Sequence, residues 1–575
     1  MSPEGTSVGS KAAYSFNEIR VDPADPERVY VTSETLISSV DGGRTWRDLR
    51  WPPEALFSSI FGDVRTFWID PFDAERMILG SDGGVFLSYD GGRTADHLYN
   101  LPLGEVYAVA VDTTFPYHVY AGLQDHEAWR GPINGWSGAV TLEDWAIVGL
   151  WDGMYVQVDP SNRFVYSTTQ FGHPRRADLR TGRRVAVEPT PPEGEEYRYT
   201  WTTPLQISPH DPEVLYLGAQ KLLRSPDRGD SWEEISPDLT TADPEKIPGQ
   251  TVNYCTITTL AESAIEPGLL WVGTDDGRVH VSFDASQRWL ERTQELAAAG
   301  APADRWVSRV APSRHHEAVA YVSKSGYRRD DPRPFLFRTA DGGEAWRSIA
   351  GGLPRAAISV ILEDPHSPDV LYVGNDLGVW VSVDGGDAWT RLPGLPTVPV
   401  RDLTLQERER DLVIGTYGRG LWVVDVWPLR ELDRGRALER VHLFAVEPKP
   451  VSWSEREEWG DDRLYGDRHL GTPNEPAGLG IYYALPAEAA GASEGNPKIS
   501  ILRGGEVLAE LDAGAGPGLQ RVQWSPESDA EADPAREGAR DAVAAGEVLV
   551  VLEAGGRTVR RRGRLLPAPE HPLQP

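Results

Sequence analysis

One cysteine, Cys255, stands in 575 residues. No intrachain disulfide is possible, and no zinc site built on thiolates. That leaves the compartment open, because many exported bacterial proteins also lack disulfides. No apolar run is long enough to cross a bilayer as a helix, which takes ~20 residues. The opening stretch, MSPEGTSVGSKAAYSF, has no apolar segment of the signal-peptide kind. The expectation is therefore either a cytoplasmic protein or a chain without its natural start. Lysine is scarce beside arginine, which reads as genome base composition. Positive charge is in deficit: 57 Lys and Arg face 87 Asp and Glu, a formal net charge of −30. Such a surface repels phosphate backbones, so nucleic acid is not an expected partner. Helical periodicity is missing outside 527–546, so less than a tenth of the chain should be helix.

What is present is a folded composition, 40% hydrophobic and 25% charged, in a chain too long for one core. It also contains a repeated phrase. SSVDGGRTW (38–46) returns as LSYDGGRTA (87–95), RSPDRGDSW (224–232), VSFDASQRW (281–289), RTADGGEAW (338–346) and VSVDGGDAW (381–389). Each copy follows a short apolar strand. A second strand lies upstream, of the type LYLG (215–218), LWVG (270–273), LYVG (371–374) or LVIG (412–415). A third ends in an Asp-Pro turn, as in RVDPADP or QISPHDP. The unit is strand A, Asp-Pro turn, strand B, strand C, repeated turn, strand D. Four short strands every forty to fifty-five residues mark propeller blades. Nine units fit between about 14 and 445, two of them without the phrase and the ninth ending near 426. No clean closing strand is visible. VHLFAVEP (441–448) and the N-terminal segment are the two candidates.

The phrase reads as structure. Its glycines allow the positive φ of a tight turn. Its Asp accepts hydrogen bonds from turn N–H groups, and the Ser or Thr two residues earlier bonds back to it. Its Trp starts strand D and is placed to bury between blades. Asp41, Asp90, Asp227, Asp284, Asp341 and Asp384 are therefore structural candidates.

The phrase resembles the Asp-box, S/T-x-D-G-G-x-T-W, of the bacterial neuraminidase repeat. GLQDHEAWRGP (122–132), SPHDPEVLYLGAQKLLRSPDRGDSWEEISPDLT (208–240), TITTLAES…GLLWVGTDDG (256–277) and VIGTYGRGLWVVD (413–425) resemble bacterial sortilin-like, BNR-repeat "glycosyl hydrolase" proteins. The resemblance implies an all-β chain: a large β-propeller over 1–445, a linker over 446–475, and an immunoglobulin-like β-sandwich over 476–575. The strand-and-turn run from GIYYALP to TVRRRGRLL suits that last domain. The acidic segment 527–546 reads as a mobile insertion. The arginines of RRRGR read as an edge-strand decoration rather than a polyanion site.

In a propeller the repeated turns mark one face, and the B–C and D–A connections mark the other. That second face carries Gln124, Asp125, His126 and Trp129, then Asp275 and Asp276, Asn375 and Asp376, and Tyr417 and Arg419. The starts of A strands add Trp151, Asp152, Trp201, Arg309 and Arg401. Channel mouths of this kind bind ligands. Asp125, Asp152 and Asp276 are the carboxylates a glycosidase would use as acid and base. Asp275 and Asn375 read as turn formers. A sialidase is disfavoured, because the Arg-Ile-Pro motif that the resemblance would require is absent. His126, His173 and His210 are too scattered for a metal site, and no metal or cofactor is expected. The expected function is a monomeric binding or scaffold propeller taking a peptide, protein or glycan at the channel mouth. The alternative is a xyloglucanase-like glycoside hydrolase.

Overall fold

A computed structural model describes residues 8, 15–48, 57, 60–136, 138–247, 254–285, 287–432, 434–453, 470–489, 497–526 and 543–569. Strand makes up 44% of it and helix 4%, so the chain is all-β. Most of the segment expected to be a mobile insertion, 527–542, lies outside the described residues, as do 454–469 of the expected linker. The chain divides into two compact units, Met1–Pro102 with Asp461–Gly471, and Leu103–Gly460 with Thr472–Pro575.

The first unit holds two four-stranded antiparallel sheets. One comprises Ile19–Val21, Val29–Thr32, Leu36–Ser39 and Arg47–Asp48. The other comprises Val64–Ile69, Met77–Ser81, Gly84–Ser88 and Asp96–His97. They share a core of Tyr30, Leu36, Val64, Phe67, Leu79 and Phe86. Glu18 joins them by accepting from the Thr66 hydroxyl and the Phe67 N–H, each at 2.9 Å.

The second unit holds seven more small sheets, six of four strands and a last one of three. Their A strands are Val106–Val111, Val156–Val158, Leu205–Ile207, Ile257–Glu262, Trp306–Pro312, Ile358–Asp364 and Val400–Gln406. Each packs on the next, and the seventh packs on the first, which closes a propeller ring within this unit. The B strands between neighbours are buried over most of their length, and fully so in Leu270–Thr274 and Asp411–Thr416.

The glycine in LYLG, LWVG, LYVG and LVIG sets the spacing between sheets. A Cβ at Gly218 would lie 2.7 Å from Ile257, at Gly273 2.4 Å from Val307, and at Gly374 2.6 Å from Val400. Each partner belongs to the A strand of the following sheet. At Gly415 the same contact, at 2.8 Å, falls on Val106 of the first sheet. The seventh sheet therefore meets the first as the others meet their successors.

The closing strand is accounted for differently from either sequence candidate. His442–Leu443 pairs with Leu479–Leu485 in the C-terminal part, and the seventh sheet keeps three strands. Hydrogen bonds tie it to the first sheet. Gly418 and Gly420 donate to the Gly104 carbonyl at 2.9 and 3.1 Å. Gln406 Nε2 donates to the Asp112 carbonyl at 3.1 Å, and Arg408 donates to those of Thr113 and Thr114.

Among the described residues, five of the six repeated turns share one full hydrogen-bond pattern, and the fourth shows its two aspartate bonds. In the fifth, the Thr339 hydroxyl donates to Asp341 Oδ1 at 2.8 Å and accepts from the Gly343 N–H at 2.9 Å. Asp341 Oδ1 also accepts from the Ala345 N–H at 2.9 Å. The Ser or Thr to Asp bond recurs at Asp41, Asp90, Asp227, Asp284 and Asp384. Bonds from Thr45 and Thr94 hold the exposed carboxyls of Asp41 and Asp90 at about 2. Trp232, Trp289 and Trp389 donate to the carbonyls of Val187, Ile235 and Ile349, each directly after the preceding sheet's D strand. Trp46 and Trp346 instead turn back to Gly43 and Gly343.

The C-terminal part has two sheets. One orders His442–Leu443, Leu479–Leu485 and Gly518–Trp524. The other orders Lys449–Pro450, Arg557–Leu566, Gly546–Ala554, Lys498–Arg503 and Glu506–Asp512. Ile481, Tyr483, Ile499, Ile501, Val550, Leu552 and Leu565 form their common core. The RRRGR arginines lie on the second strand of the five, and Arg561 Nε donates to the Leu443 carbonyl of the other sheet at 3.0 Å. Thr472–Pro473 pairs with Ala139–Val140 of the ring, and Asn474 exchanges two 2.7 Å hydrogen bonds with Gly135. Beneath this strap Lys449 Nζ lies 2.6 Å from Glu475. Asp411 and Asp425 face them from the seventh ring sheet. Burial pushes Asp411 up to about 7 and Asp425 up to about 6, with Lys449 opposing and Glu475 adding to both. Tyr117 donates to Asp411 Oδ2 at 2.8 Å.

Trp389 is 9% exposed, so Trp389→Ala should cost about 3–5 kcal/mol, and Asp384→Ala should also lower the melting temperature. Ligand binding in the folded fraction should survive both, because the repeated turns lie opposite the B–C loops. Loss of binding with an unchanged melting temperature would contradict the structural role. The buried aspartates make stability depend on pH. A carboxyl whose folded pKa is raised binds its proton more tightly in the native state, so stability falls as pH rises from about 4 towards 7. Asp411→Asn keeps an acceptor for Tyr117. It should raise the melting temperature at pH 8 and change it little near pH 4, as scanning calorimetry would read. Equal shifts at both values would refute this.

Candidate functional site

The loop face of the ring gathers side chains from sheets far apart in sequence. Gln124 Oε1 accepts from the Tyr107 hydroxyl at 2.5 Å and from the Tyr417 hydroxyl at 2.9 Å. Trp201 Nε1 donates to the Tyr107 hydroxyl at 3.1 Å. The Phe171 ring meets Trp201 edge-on at 5.1 Å. On the other side Arg401 lies 4.8 Å from the Tyr417 ring centroid and 5.5 Å from that of Tyr327. Arg401 Nη1 is 3.8 Å from Asp376 Oδ1. Phe171, Trp201, Tyr107, Gln124, Tyr417, Arg401 and Asp376 thus form one continuous aromatic and polar string.

Several atoms beside it are buried without a hydrogen-bond partner among the described residues: Gln170 Oε1, Thr200 Oγ1, Asp376 Oδ1 and Arg309 Nε. Buried polar atoms are normally satisfied by protein, water or ligand. Burial raises the pKa of Asp376, and Arg401 opposes it.

Two of the carboxylates named as acid and base candidates, Asp152 and Asp276, accept hydrogen bonds from the protein's own donors. Asp152 Oδ1 accepts from the Asp125 N–H and Oδ2 from Gln170 Nε2, both at 3.0 Å. Asp152 thereby clamps a loop in which Asp125, Glu127 and Trp151 all have positive φ. Asp276 Oδ2 accepts from the N–H and hydroxyl of Thr241 at 2.7 Å, and Oδ1 accepts from Thr274. Asp275 bonds to the N–H and hydroxyl of Thr256. Burial, with Asp276 adding to it, pushes Asp275 up to about 7.

The other candidates are distributed as follows. Trp151 is 60% exposed, and Arg175 lies 5.5 Å from its ring centroid. Trp129 Nε1 donates to the His126 carbonyl, and His126 Nδ1 lies 3.2 Å from the Gln124 carbonyl. Arg419 is exposed, and its N–H donates to the Thr416 hydroxyl at 3.1 Å. Arg309 points at Asp402, with Nη2 at 2.7 Å from Oδ1, while Asp402 Oδ2 accepts from the Val109 N–H at 2.9 Å. That carboxylate joins A strands of the fifth, seventh and first sheets. Sequence reasoning missed Tyr107, Gln170, Phe171 and Tyr327. Tyr107 looks like one more apolar position of VYAVAV, and only its outward register between buried Val106 and Ala108 distinguishes it.

Removing one partner of a buried ion pair strands the other, at about 3–5 kcal/mol. Arg309→Met should destabilise the ring by that order in chemical denaturation. Adding Asp402→Asn, which still accepts from Val109, should recover part of the loss. No recovery would mean that the pair does not carry the effect.

No family model matches the chain, and no curated protein matches it. Solved structures resemble it distantly. The extracellular domain of a hybrid two-component system from B. thetaiotaomicron is 11% identical at a TM-score of 0.39, over 96% of this chain and 68% of that one. The computationally designed Ika8 protein is 14% identical at 0.35, over 63% of this chain and 96% of its own. A GH74 enzyme of Niastella koreensis is 11% identical at 0.25, over 82% of this chain and 84% of that one. No functional conclusion is taken from proteins this distant.

Proposed function

We propose that this protein is a ligand-binding propeller of the sortilin-like, Asp-box repeat kind. It takes a peptide, protein or glycan on the loop face of the ring. The observation that carries this reading is the string from Phe171 to Asp376, flanked by buried polar atoms that lack partners among the described residues. Rings supply stacking surface, and amide, hydroxyl and guanidinium groups supply direction. Binding is preferred over hydrolysis because Asp152 and Asp276 each spend both carboxylate oxygens on donors of the protein itself.

The test is a screen of glycans and peptides with two readouts, binding and released reducing ends. Trp151→Ala should weaken binding about tenfold at an unchanged melting temperature, the effect of one exposed aromatic anchor. Tyr417→Phe and Gln124→Ala should weaken it too, and Trp129→Ala should act in the same direction. No reducing ends should appear. Turnover by the parent protein that Asp125→Asn or Asp152→Asn cuts by orders of magnitude would replace this reading with the glycoside hydrolase.

A further inference from the structure

A cavity of about 270 Å³ opens beside the string, lined by Phe171, His173, Pro174, Glu188, Pro189, Tyr197 and Tyr199. It shares Phe171 with the string, so a ligand role for it rests on the same reading of the loop face. Its volume lies just below the ~300–1,000 Å³ of pockets that hold whole drug-sized ligands. It suits a single side chain or a small head group.

The cavity is built at a conformational cost. Phe171, Gly172 and His173 take φ of 60°, 98° and 50° in succession. Two of the three are not glycine, and such strain persists only where the surroundings enforce it. A Cβ at position 172 would lie 3.0 Å from the Tyr199 ring, so the glycine lets that ring close on the turn. Tyr197 and Tyr199 meet edge-on at 6.1 Å.

The charges around it have one sign in excess. Glu188 is on the wall, with Oε2 3.0 Å from His173 Nδ1. Glu193, Glu195 and Glu196 are exposed on the connection that forms the rim. Tyr197 donates to Glu234 at 3.1 Å. The nearby cations are engaged: Lys221 Nζ lies 2.7 and 2.8 Å from Glu195 and Glu234, and Arg198 lies 2.7 Å from Asp238. Aromatic rings with a carboxylate beside them attract a weakly hydrated organic cation, through the ring quadrupoles and the acidic field together. A neutral ring or alkyl group would gain only from the apolar surface.

We propose that this pocket receives a quaternary ammonium group, either free or carried on a trimethylated lysine side chain. The probes are choline and Nα-acetyl-Nε-trimethyl-lysine amide, titrated by ligand-observed NMR against 3,3-dimethylbutan-1-ol, the neutral isostere of choline. At least one cation should bind saturably at millimolar concentration, and the neutral isostere about tenfold more weakly, the scale of a desolvated cation–π contact. Whichever cation binds more tightly identifies the source. Glu188→Gln, a change at an exposed position, should weaken the cation and leave the isostere unchanged. Tyr199→Leu should remove cation binding, and Trp151→Ala should not affect it. Equal affinity for the isostere, no saturable cation binding, or insensitivity to Glu188→Gln would each overturn the inference. A ligand of the string that binds Glu188→Gln normally would leave the wider reading standing in every such case.

Discussion

Everything in the ring depends on how closely one small sheet can approach the next. The approach is set where a B strand ends in glycine against the A strand that follows. Gly218, Gly273 and Gly374 leave no room for a Cβ, because Ile257, Val307 and Val400 occupy the space. Repeating one close contact at a constant angle bends a row of sheets until the last meets the first. Gly415 against Val106 is that meeting. With a single cysteine, no covalent link can hold it. The closure relies on carboxylates and backbone bonds instead, with Asp402 taking Arg309 on one oxygen and the Val109 N–H on the other. These partners lie far apart in the chain, so the entropy of closing a long loop must be overcome before the contact contributes.

Closure creates the loop face. Gln124 and Tyr417 come from the first and last sheets of the ring and meet only because it shuts. Arg401, also from the last sheet, and Asp376, Trp201 and Phe171, from three further sheets, extend the same surface. The repeated turns, on the opposite side, are saturated with internal hydrogen bonds and leave little chemistry for a ligand. Two of the three ring sheets without the repeated phrase supply Gln124, Asp152, Gln170 and Phe171. Relaxation of the repeat and gain of unusual backbone coincide there, with positive φ at Asp125, Trp151, Phe171 and His173. Local rules are commonly broken where a site imposes its own residue choices.

The C-terminal part is anchored to the ring through charge as well as apolar contact. Trp427 lies in a buried cluster with Phe444 and Ala484. Lys449 reaches Glu475 close to two buried aspartates of the seventh ring sheet. One cation among several carboxylates in a dry site cannot keep all of them ionised, so the aspartates take up protons near neutrality. The same interface that fastens the strap is therefore sensitive to pH.

The sequence by itself determined the local physics. Strand length, alternation, the Asp-Pro turns and the six repeated turns follow from backbone and hydrogen-bond preferences acting within about ten residues. The turn aspartates and their Ser or Thr partners were legible residue by residue. What the tertiary structure decided is where the small sheets divide and close, seven in a ring and two in another unit, because that depends on contacts such as Gly415 with Val106 that no local pattern encodes. It also decided what the site carboxylates do. Asp152 is adjacent to Trp151 in sequence, and the fold gives its oxygens the Asp125 N–H and Gln170 Nε2 as donors. Tyr107 looked like core, yet it stands at the centre of the aromatic string. A side chain's chemistry is written in the sequence, but its hydrogen-bond partners are supplied by the fold.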